Sequence, residues 1–135
     1  MKESTQKKKN ATGGSSTVLI VEDESSLNEA YQIILSQAGY NVLTAYDGAE
    51  ALEIVTNNDP EVILLDLRMP VMNGIEFLKN YSPKNRAHIV VFSNYDMQKE
   101  IDEAYKLGAD RYILKAWASP KELLQIVKDA IKSRA

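Results

Sequence analysis

The stretch EVILLDLRMPVMNG, residues 61–74, decides the fold and contains the most conspicuous reactive group of the chain. The apolar run Val62–Leu65 leads directly into Asp66, and a short loop containing proline, asparagine and glycine follows. A continuous apolar run bounded by turn residues is typical of a strand buried on both faces of a parallel sheet. Because ligands of open α/β sheets bind beyond the carboxyl ends of the strands, Asp66 is a candidate for chemistry. The alternative at this point is that Asp66 only caps the loop.

Strand-like and helix-like segments alternate on both sides of this stretch. Apolar and β-branched runs predict strands at residues 17–21, 41–45, 62–65, 88–92 and 111–114. Helical apolar spacing follows each of them. This alternation, without an internal repeat, predicts the α/β class and a (βα)5 chain with a five-stranded parallel sheet. Right-handed crossovers allow a doubly wound sheet with strand order 2-1-3-4-5.

Helix-capping residues mark four of the five predicted helix starts. These starts are Ser26 with Glu29, Asp47 with Glu50, Asp96, and Ser119 with Pro120 and Glu122. The remaining helix is predicted over about residues 73–80.

Length and composition bound the class of protein. The chain has 135 residues, enough for one domain with its own core, and its 44% apolar and 26% charged content is ordinary for a globular domain. Cysteine is absent, which excludes a disulfide framework and a Cys-based metal or redox site. No apolar run approaches the roughly 18 residues of a membrane span, and no signal-peptide core is present. We therefore expect a cytoplasmic protein that does not enter the membrane.

Charge is distributed unevenly along the chain. Residues 1–16 contain four lysines and one glutamate, a net charge of +3, so the rest carries −6 of the total of −3. An acidic body argues against direct nucleic-acid binding by the domain. The polar, Gly-, Ser- and Lys-rich residues 1–16 are predicted to be a disordered tail, with a basic docking arm, a cloning remnant and a solubilising tail as alternatives. The domain is expected over residues 17–133.

Polar side chains end four of the five predicted strands. The first strand leads into Glu22 and Asp23, the third into Asp66, the fourth into Ser93 and the fifth into Lys115. All parallel strands end at one edge of the sheet, so three carboxylates, a hydroxyl and an ammonium should meet there. Three clustered acids repel one another unless a cation joins them, and hard oxygen ligands suit Mg²⁺. The sequence therefore predicts a magnesium site.

Each of these residues also has an ordinary structural role open to it. The acidic pair and Ser93 could cap the helices that follow them, and Lys115 could be a solvated surface lysine. Those roles would have to hold at several strand ends at once, so we prefer a joint site.

These residues are the ones by which the chain resembles the receiver domain of bacterial two-component response regulators. The resemblance covers about residues 17–133. It rests on the acidic pair Glu22–Asp23, the segment LLDLRMPVMNG with Asp66, Ser93 after VVF, and Lys115 after GADRYIL. It implies the flavodoxin-like receiver fold and a phosphoryl-accepting signalling switch in a phosphorelay.

The resemblance also implies a role for each matching residue. Asp66 would take a phosphoryl group from the phosphohistidine of a sensor histidine kinase or a phosphotransfer protein, becoming an aspartyl phosphate. Mg²⁺, with Mn²⁺ as the alternative, would be held by Glu22, Asp23, Asp66 and the backbone carbonyl of Arg68. Lys115 and Ser93 would bind the phosphoryl oxygens, which fits a reaction that depends on positioning and charge neutralisation.

Signal output would follow from the same contacts. Ser93 would move toward the phosphoryl group, and Tyr112 would rotate into the space it leaves. That would change the face formed by the fourth helix, the fifth strand and the fifth helix, where a downstream effector or output domain would bind. A half-buried tyrosine without a switching role is the alternative for Tyr112. The domain would not be an enzyme, beyond Mg²⁺-dependent self-phosphorylation from a phosphodonor and slow autodephosphorylation.

Three positions, Glu22, Ala116 and Asn94, depart from the commonest pattern of that family. Glu22 stands where aspartate is usual, and Ala116 follows the lysine where proline in a cis peptide is usual. Because a cis bond before a non-proline residue costs about 2.5–4 kcal/mol, we expect the Lys115–Ala116 bond to be trans, or cis under strain, with the lysine less firmly placed. Asn94 and Arg68 should border the phosphoryl group and tune its lifetime.

Three other functions compete with the signalling switch. An aspartyl phosphatase usually has a second acid two residues after its nucleophile, where this chain has Arg68. A flavodoxin-like cofactor binder needs a Ser-, Thr- or Gly-rich phosphate loop after the first strand, which is absent here. A phosphorylation-independent pseudo-receiver is disfavoured because all the reactive groups are present.

Overall fold

The computed structural model describes residues 16–94 and 97–134, and these form alternating strands and helices. The strands are β1 Thr17–Val21, β2 Asn41–Ala45, β3 Val62–Asp66, β4 His88–Ser93 and β5 Arg111–Leu114. The helices are α1 Ser25–Gln37, α2 Gly48–Asn57, α3 Gly74–Asn80, α4 Gln98–Lys106 and α5 Pro120–Arg134, with a 3₁₀ turn at Lys115–Trp117. Residues 1–15 of the predicted tail lie outside the described residues, so the tail stays a prediction.

The five strands form one parallel sheet in the order β2-β1-β3-β4-β5. This confirms the predicted doubly wound order 2-1-3-4-5. The register aligns the carboxyl ends, with Val21 opposite both Ala45 and Leu65, and Ser93 opposite Leu114. Each βα connection therefore leaves the sheet from the same edge.

The apolar core has two layers, one on each face of the sheet. Along a strand successive side chains point to opposite faces, so Leu19, Ile63 and Ile89 face one layer while Val18, Val62 and Val90 face the other. The first layer contains buried side chains of α2, α3 and α4, and the second contains those of α1 and α5. Every residue of β3 is buried, which is why this strand reads as an unbroken apolar run.

Two helix starts follow the capping chemistry read from the sequence, and a third has a cap that was not predicted. Asp47 accepts from the Glu50 backbone N–H at 2.8 Å, and Ser119 and Glu122 exchange reciprocal bonds at the start of α5. The third helix opens with a capping box between Asn73 and Glu76.

One predicted helix start is wrong, and another lies outside the described residues. The first helix begins at Ser25 with Glu24 as its N-cap, and the predicted Ser26–Glu29 box does not form. The chain enters this helix earlier because Glu22 Oε2 already accepts from the Glu24 backbone N–H at 3.1 Å, which turns the backbone directly after β1. The fourth helix begins at Gln98 with Met97 as its N-cap, whereas the predicted start at Asp96 lies outside the described residues.

None of the helices in the described part of the chain combines the length and the apolar character that crossing a membrane requires.

Candidate functional site

The acidic residues predicted from separate strand ends lie together at the carboxyl edge of the sheet. Glu22 and Asp23 directly follow β1, and Asp66 is the last residue of β3. Glu22, Asp23 and Asp66 each offer one carboxylate oxygen, and these oxygens all lie within 4.8 Å of one another. Glu22 and Asp66 are buried, whereas Asp23 is exposed. The pairing β1–β3 thus converts a separation of more than 40 sequence positions into direct proximity.

Asp66 is held by one contact to each of its carboxylate oxygens. Its Oδ1 accepts from the Arg68 backbone N–H at 3.2 Å, and its Oδ2 accepts from Lys115 Nζ at 3.1 Å. The residue is only 6% exposed. The carboxylate is therefore fixed in orientation, with a cation beside it and the metal-ligand candidates close by.

Lys115 joins two carboxylates at once. Its ammonium lies 2.5 Å from Glu22 Oε1 as well as 3.1 Å from Asp66 Oδ2, and all three side chains are nearly buried. One lysine therefore neutralises part of the charge of two acids, and a net negative charge remains at the site.

The environment shifts the pKa of both members of the Lys115–Glu22 pair. Burial raises the pKa of Glu22 to about 6, and the charge of Asp66 adds to this while the hydrogen bond to Lys115 opposes it. For Lys115, burial acts to lower the pKa, but the hydrogen bond to Glu22 and the charge of Asp66 outweigh burial and raise it. The raised pKa keeps the lysine cationic, whereas burial disfavours the anionic form of Glu22.

Asn28 is a site residue that the sequence analysis missed. It is fully buried on α1, and its Nδ2 donates to the backbone oxygens of Glu22 at 2.9 Å and Ala45 at 3.3 Å. Its Oδ1 accepts from Gln32 Nε2 at 2.9 Å. Asn28 therefore fixes the turn that presents the acidic pair. A signal was present, since this asparagine shares the buried helix face of Tyr31 and Leu35 at helical spacing.

Ser93 and Tyr112 occupy positions consistent with their expected coupling. Ser93 is fully buried at the end of β4. Tyr112 is half-buried in β5, pairs with Val91, and packs against the layer that contains α4. Because side chains alternate along a strand, Ser93 and Tyr112 lie on the same face of the sheet as Val91.

The peptide bond after the lysine is trans, since no cis peptide occurs among residues 16–94 and 97–134. This is one of the two conformations expected from Ala116 replacing proline. Lys115 opens the 3₁₀ turn, and its carbonyl accepts from the Ala118 backbone N–H at 3.1 Å. Without the proline, the lysine side chain still has two buried ionic partners.

The two residues expected to border the phosphoryl group differ in what they contact. The Arg68 side chain points toward α4, where Nη2 donates to Glu100 Oε2 at 3.2 Å and to Met97 Sδ at 3.4 Å. Asn94 lines a groove of about 370 Å³ between α1 and the start of α5, together with Lys115 and Ala116. Asn94 and Ala116 thus border open space beside the site.

The loop after Asp66 depends on a glycine at its end. A Cβ added to Gly74 would lie 2.5 Å from the Asp66 backbone oxygen and 2.8 Å from Leu67 Cα. The Gly74 backbone N–H donates to the Leu67 oxygen at 2.9 Å. Glycine therefore lets the start of α3 approach the end of β3 closely, which holds the loop beside Asp66.

The donor set fits a hard divalent cation. Three carboxylates with no cysteine or histidine among them match the oxygen ligands that Mg²⁺ prefers. The net negative charge left by Lys115 favours a cation in addition to the ammonium.

Comparisons with known proteins agree with this geometry. The family model for the response regulator receiver domain matches residues 18–128. A CheY-like response regulator receiver domain protein from Methanospirillum hungatei JF-1 is 27% identical with a TM-score of 0.83, over 88% of this chain and 95% of that chain. Chemotaxis protein CheY4 of Vibrio cholerae is 31% identical with a TM-score of 0.78, over 85% of this chain and 98% of that chain.

A further similar structure is that of a phosphorylated protein. The phosphorylated cyanobacterial phytochrome response regulator RcpA is 30% identical with a TM-score of 0.72, over 84% of this chain and 89% of that chain. Receiver domains in general bind Mg²⁺ through acidic residues and interact with histidine kinases and effectors. The fold, the acidic cluster and the family match all agree: this chain belongs to the response regulator receiver domain family, whose members are in general phosphorylation-based signalling switches rather than true enzymes.

Proposed function

We propose that this chain is a phosphoryl-accepting switch in which Asp66 takes a phosphoryl group from the phosphohistidine of a sensor histidine kinase or phosphotransfer protein. The environment of the Asp66 side chain is the observation that supports this proposal. Its carboxylate is buried, contacts Lys115 Nζ at 3.1 Å, and lies within 4.8 Å of oxygens of Glu22 and Asp23. A carboxylate with a fixed cation and a cation-binding pair beside it suits charge-neutralised phosphoryl transfer.

The transfer itself exchanges one bond for another. A carboxylate oxygen of Asp66 forms a bond to phosphorus as the bond from phosphorus to the donor imidazole nitrogen breaks. The electron pair of the broken bond stays on the imidazole. The protein supplies position and positive charge, because the transition state spreads negative charge over the phosphoryl oxygens.

Glu22, Asp23, Asp66 and the backbone carbonyl of Arg68 are the proposed ligands for Mg²⁺, and Mn²⁺ is the alternative metal. The metal, when bound, would supply positive charge close to the phosphoryl oxygens. Glu22 already accepts from Lys115 and from the Glu24 backbone N–H, so its carboxylate is oriented before any metal binds.

Lys115 and Ser93 are the proposed partners of the phosphoryl oxygens. The ammonium of Lys115 already contacts the Asp66 oxygen, so it needs only a small shift to pair with a group attached there. The Ser93 hydroxyl sits at the end of the neighbouring strand, fully buried. Movement of Ser93 toward the phosphoryl group, followed by rotation of Tyr112 into the vacated space, is the proposed relay to the α4–β5–α5 face.

The wider organisation of the protein is also a proposal. Residues 17–133 form the proposed receiver domain, and residues 1–16 a polar, basic tail. The effector or output domain would bind the α4–β5–α5 face, without nucleic-acid or membrane contacts by this domain. We place the protein in the cytoplasm, where histidine kinases present their phosphohistidine.

Intact mass spectrometry after incubation with acetyl phosphate and Mg²⁺ tests the proposal. Wild type should gain the mass of one phosphoryl group, whereas Asp66→Asn and wild type in excess chelator should not. An unmodified wild-type chain would instead support a phosphorylation-independent pseudo-receiver.

A further inference from the structure

We propose that Arg68 is a coupling residue that holds the first turn of α4 in the unphosphorylated protein and releases it when Asp66 is phosphorylated. The inference rests on the proposed function of Asp66. It adds a second route from the phosphorylation site to α4, beside the Ser93–Tyr112 relay.

Arg68 contacts both the phosphoacceptor and the helix. Its backbone N–H donates to Asp66 Oδ1 at 3.2 Å. Its guanidinium Nη2 donates to Glu100 Oε2 at 3.2 Å and to Met97 Sδ at 3.4 Å. One residue therefore connects the reacting carboxylate to an element 32 positions further along the chain.

The first turn of α4 lacks the side-chain cap that α2, α3 and α5 have. Its N-cap residue is Met97, whose side chain makes no capping hydrogen bond. The Met97 carbonyl accepts from the backbone N–H groups of Glu100 at 3.0 Å and Ile101 at 3.1 Å. A turn without a cap opens more easily, so the contacts from Arg68 have a large share in keeping it closed.

Glu100 lacks a full set of hydrogen bonds while it is paired with Arg68. Its Oε2 pairs with Arg68, but its Oε1 is buried without a hydrogen-bond partner within the described parts of the chain. A buried carboxylate oxygen without a donor is unfavourable. The side chains of Arg68 and Glu100 are 45% and 28% exposed, so water screens their attraction. The pair is therefore weak enough to be exchanged.

A phosphoryl group on Asp66 would compete with Glu100 for the guanidinium. The phosphoryl group would bring nearly two negative charges and three acceptor oxygens to Asp66, which precedes Arg68 by two residues in the sequence. Arginine binds phosphoryl oxygens through its planar fork of donors. Exchange of Glu100 for the phosphoryl group would remove the contacts from Arg68 to the first turn of α4. That turn borders the proposed output face. In one state Arg68 pairs with Glu100, and in the other it pairs with the phosphoryl group. Phosphorylation shifts the population from the first state to the second.

The chain contains a matched control on the same helix. Lys79 of α3 and Glu103 of α4 form an ion pair at 3.9 Å, with side chains 56% and 41% exposed. Glu103 lies one turn further along α4 than Glu100. The substitution Glu103→Gln therefore removes a comparable charge without touching Arg68.

Amide hydrogen exchange of Glu100 and Ile101, measured by NMR on the full chain, tests the inference. These amides close the first turn through the Met97 carbonyl. Wild type, Glu100→Gln and Glu103→Gln would be compared with Mg²⁺ alone and with Mg²⁺ plus beryllofluoride, a mimic of the phosphoryl group. Fluorine NMR would report whether beryllofluoride is bound, with Asp66→Asn as the blank.

Beryllofluoride should speed exchange of these two amides in wild type by roughly two- to fivefold, the range set by a half-exposed ion pair. Glu100→Gln should exchange at the faster rate before beryllofluoride is added and change little afterwards, while Glu103→Gln should behave like wild type. Bound beryllofluoride with unchanged wild-type amides, or wild-type rates in Glu100→Gln, would overturn the coupling role alone. No bound beryllofluoride in wild type would overturn the proposed function of Asp66 and the coupling role with it.

Discussion

Lys115 Nζ lies 2.5 Å from Glu22 Oε1 at the carboxyl edge of the sheet, and both side chains are almost completely buried. The same ammonium also contacts Asp66 Oδ2 at 3.1 Å. The unphosphorylated site is therefore organised around one cation shared by two acids.

The pH dependence of stability should reveal the burial of Glu22 in this site. Burial raises the pKa of Glu22 from its ordinary 4.5 to about 6, so the folded state binds the Glu22 proton more tightly than the unfolded state does. This contribution to the stability of the folded state is fully present below pH 4.5 and is lost as the pH rises through about 6. With a chelator present, the free energy of unfolding of wild type should fall by up to about 2 kcal/mol relative to that of Glu22→Gln as the pH rises through this window.

Urea unfolding at a series of pH values measures the difference. Glu29→Gln, at an exposed position of α1, is the control and should follow wild type. A wild-type minus Glu22→Gln difference that does not vary between pH 4 and 7 would show that the carboxylate is not penalised by burial.

Asn28→Ala should destabilise the fold and weaken Mg²⁺ binding at the proposed site together. The substitution removes the donor to the backbone oxygens of Glu22 and Ala45, leaving both without that bond in a buried place. We expect a loss of about 2–4 kcal/mol in the free energy of unfolding and weaker Mg²⁺ binding by calorimetry. Asn85→Ala, at an exposed position, should change neither. Destabilisation with unaltered Mg²⁺ affinity would mean that Asn28 supports the core but not the acidic turn.

Val71→Asn should stabilise the protein. Val71 has a positive φ of 66°, which is unfavourable for a β-branched residue, and its side chain is 83% exposed, so little packing is lost. Asparagine tolerates this conformation, and we expect a gain of about 1 kcal/mol in urea unfolding. Val71→Ala retains a Cβ but not the branch and should fall between the two. A Val71→Asn protein no more stable than wild type would argue against strain in this loop.

Arg68→Ala and Asn94→Ala should each shorten the lifetime of the phosphorylated form. Asn94 lines the groove beside Lys115, so its loss should open the site to the attacking water. Arg68 would offer positive charge to the phosphoryl group once its guanidinium leaves Glu100, and its loss would remove that charge. We expect dephosphorylation about three- to tenfold faster, equivalent to about 1 kcal/mol in the barrier. The rate is read by mass spectrometry after the phosphodonor is removed. Arg111→Ala, exposed on β5, is the control, and equal rates in all four proteins would refute the role of both residues.

The strands were predictable because a parallel sheet covered on both faces selects continuous apolar runs. The bounds of β1, β2 and β5 match the predicted runs, and β4 is longer only by Ser93. Helix starts were predictable where a side chain caps the helix, as at Asp47 and Ser119. The start of α1 was missed because its N-cap Glu24 makes no side-chain cap and so leaves no pattern in the sequence.

The meeting of the site residues was predictable for the same reason, since parallel strands share one edge. Contacts made across the fold were not. Nothing local to Arg68 shows that its guanidinium binds Glu100, 32 positions away. Asn28 likewise reads as a minor interruption of an apolar helix face until its two backbone partners are seen. Such pairings depend on how the elements pack, which spacing along the chain does not specify.

The most direct test of the central claim is to find which residue carries the phosphoryl group. Wild-type protein would be incubated with Mg²⁺ and acetyl phosphate, reduced with borohydride, and sequenced by tandem mass spectrometry, because reduction of an aspartyl phosphate leaves homoserine at that position. We predict homoserine at residue 66 only, dependent on both Mg²⁺ and phosphodonor. No homoserine, or homoserine at Asp23 with Asp66 unmodified, would contradict the account.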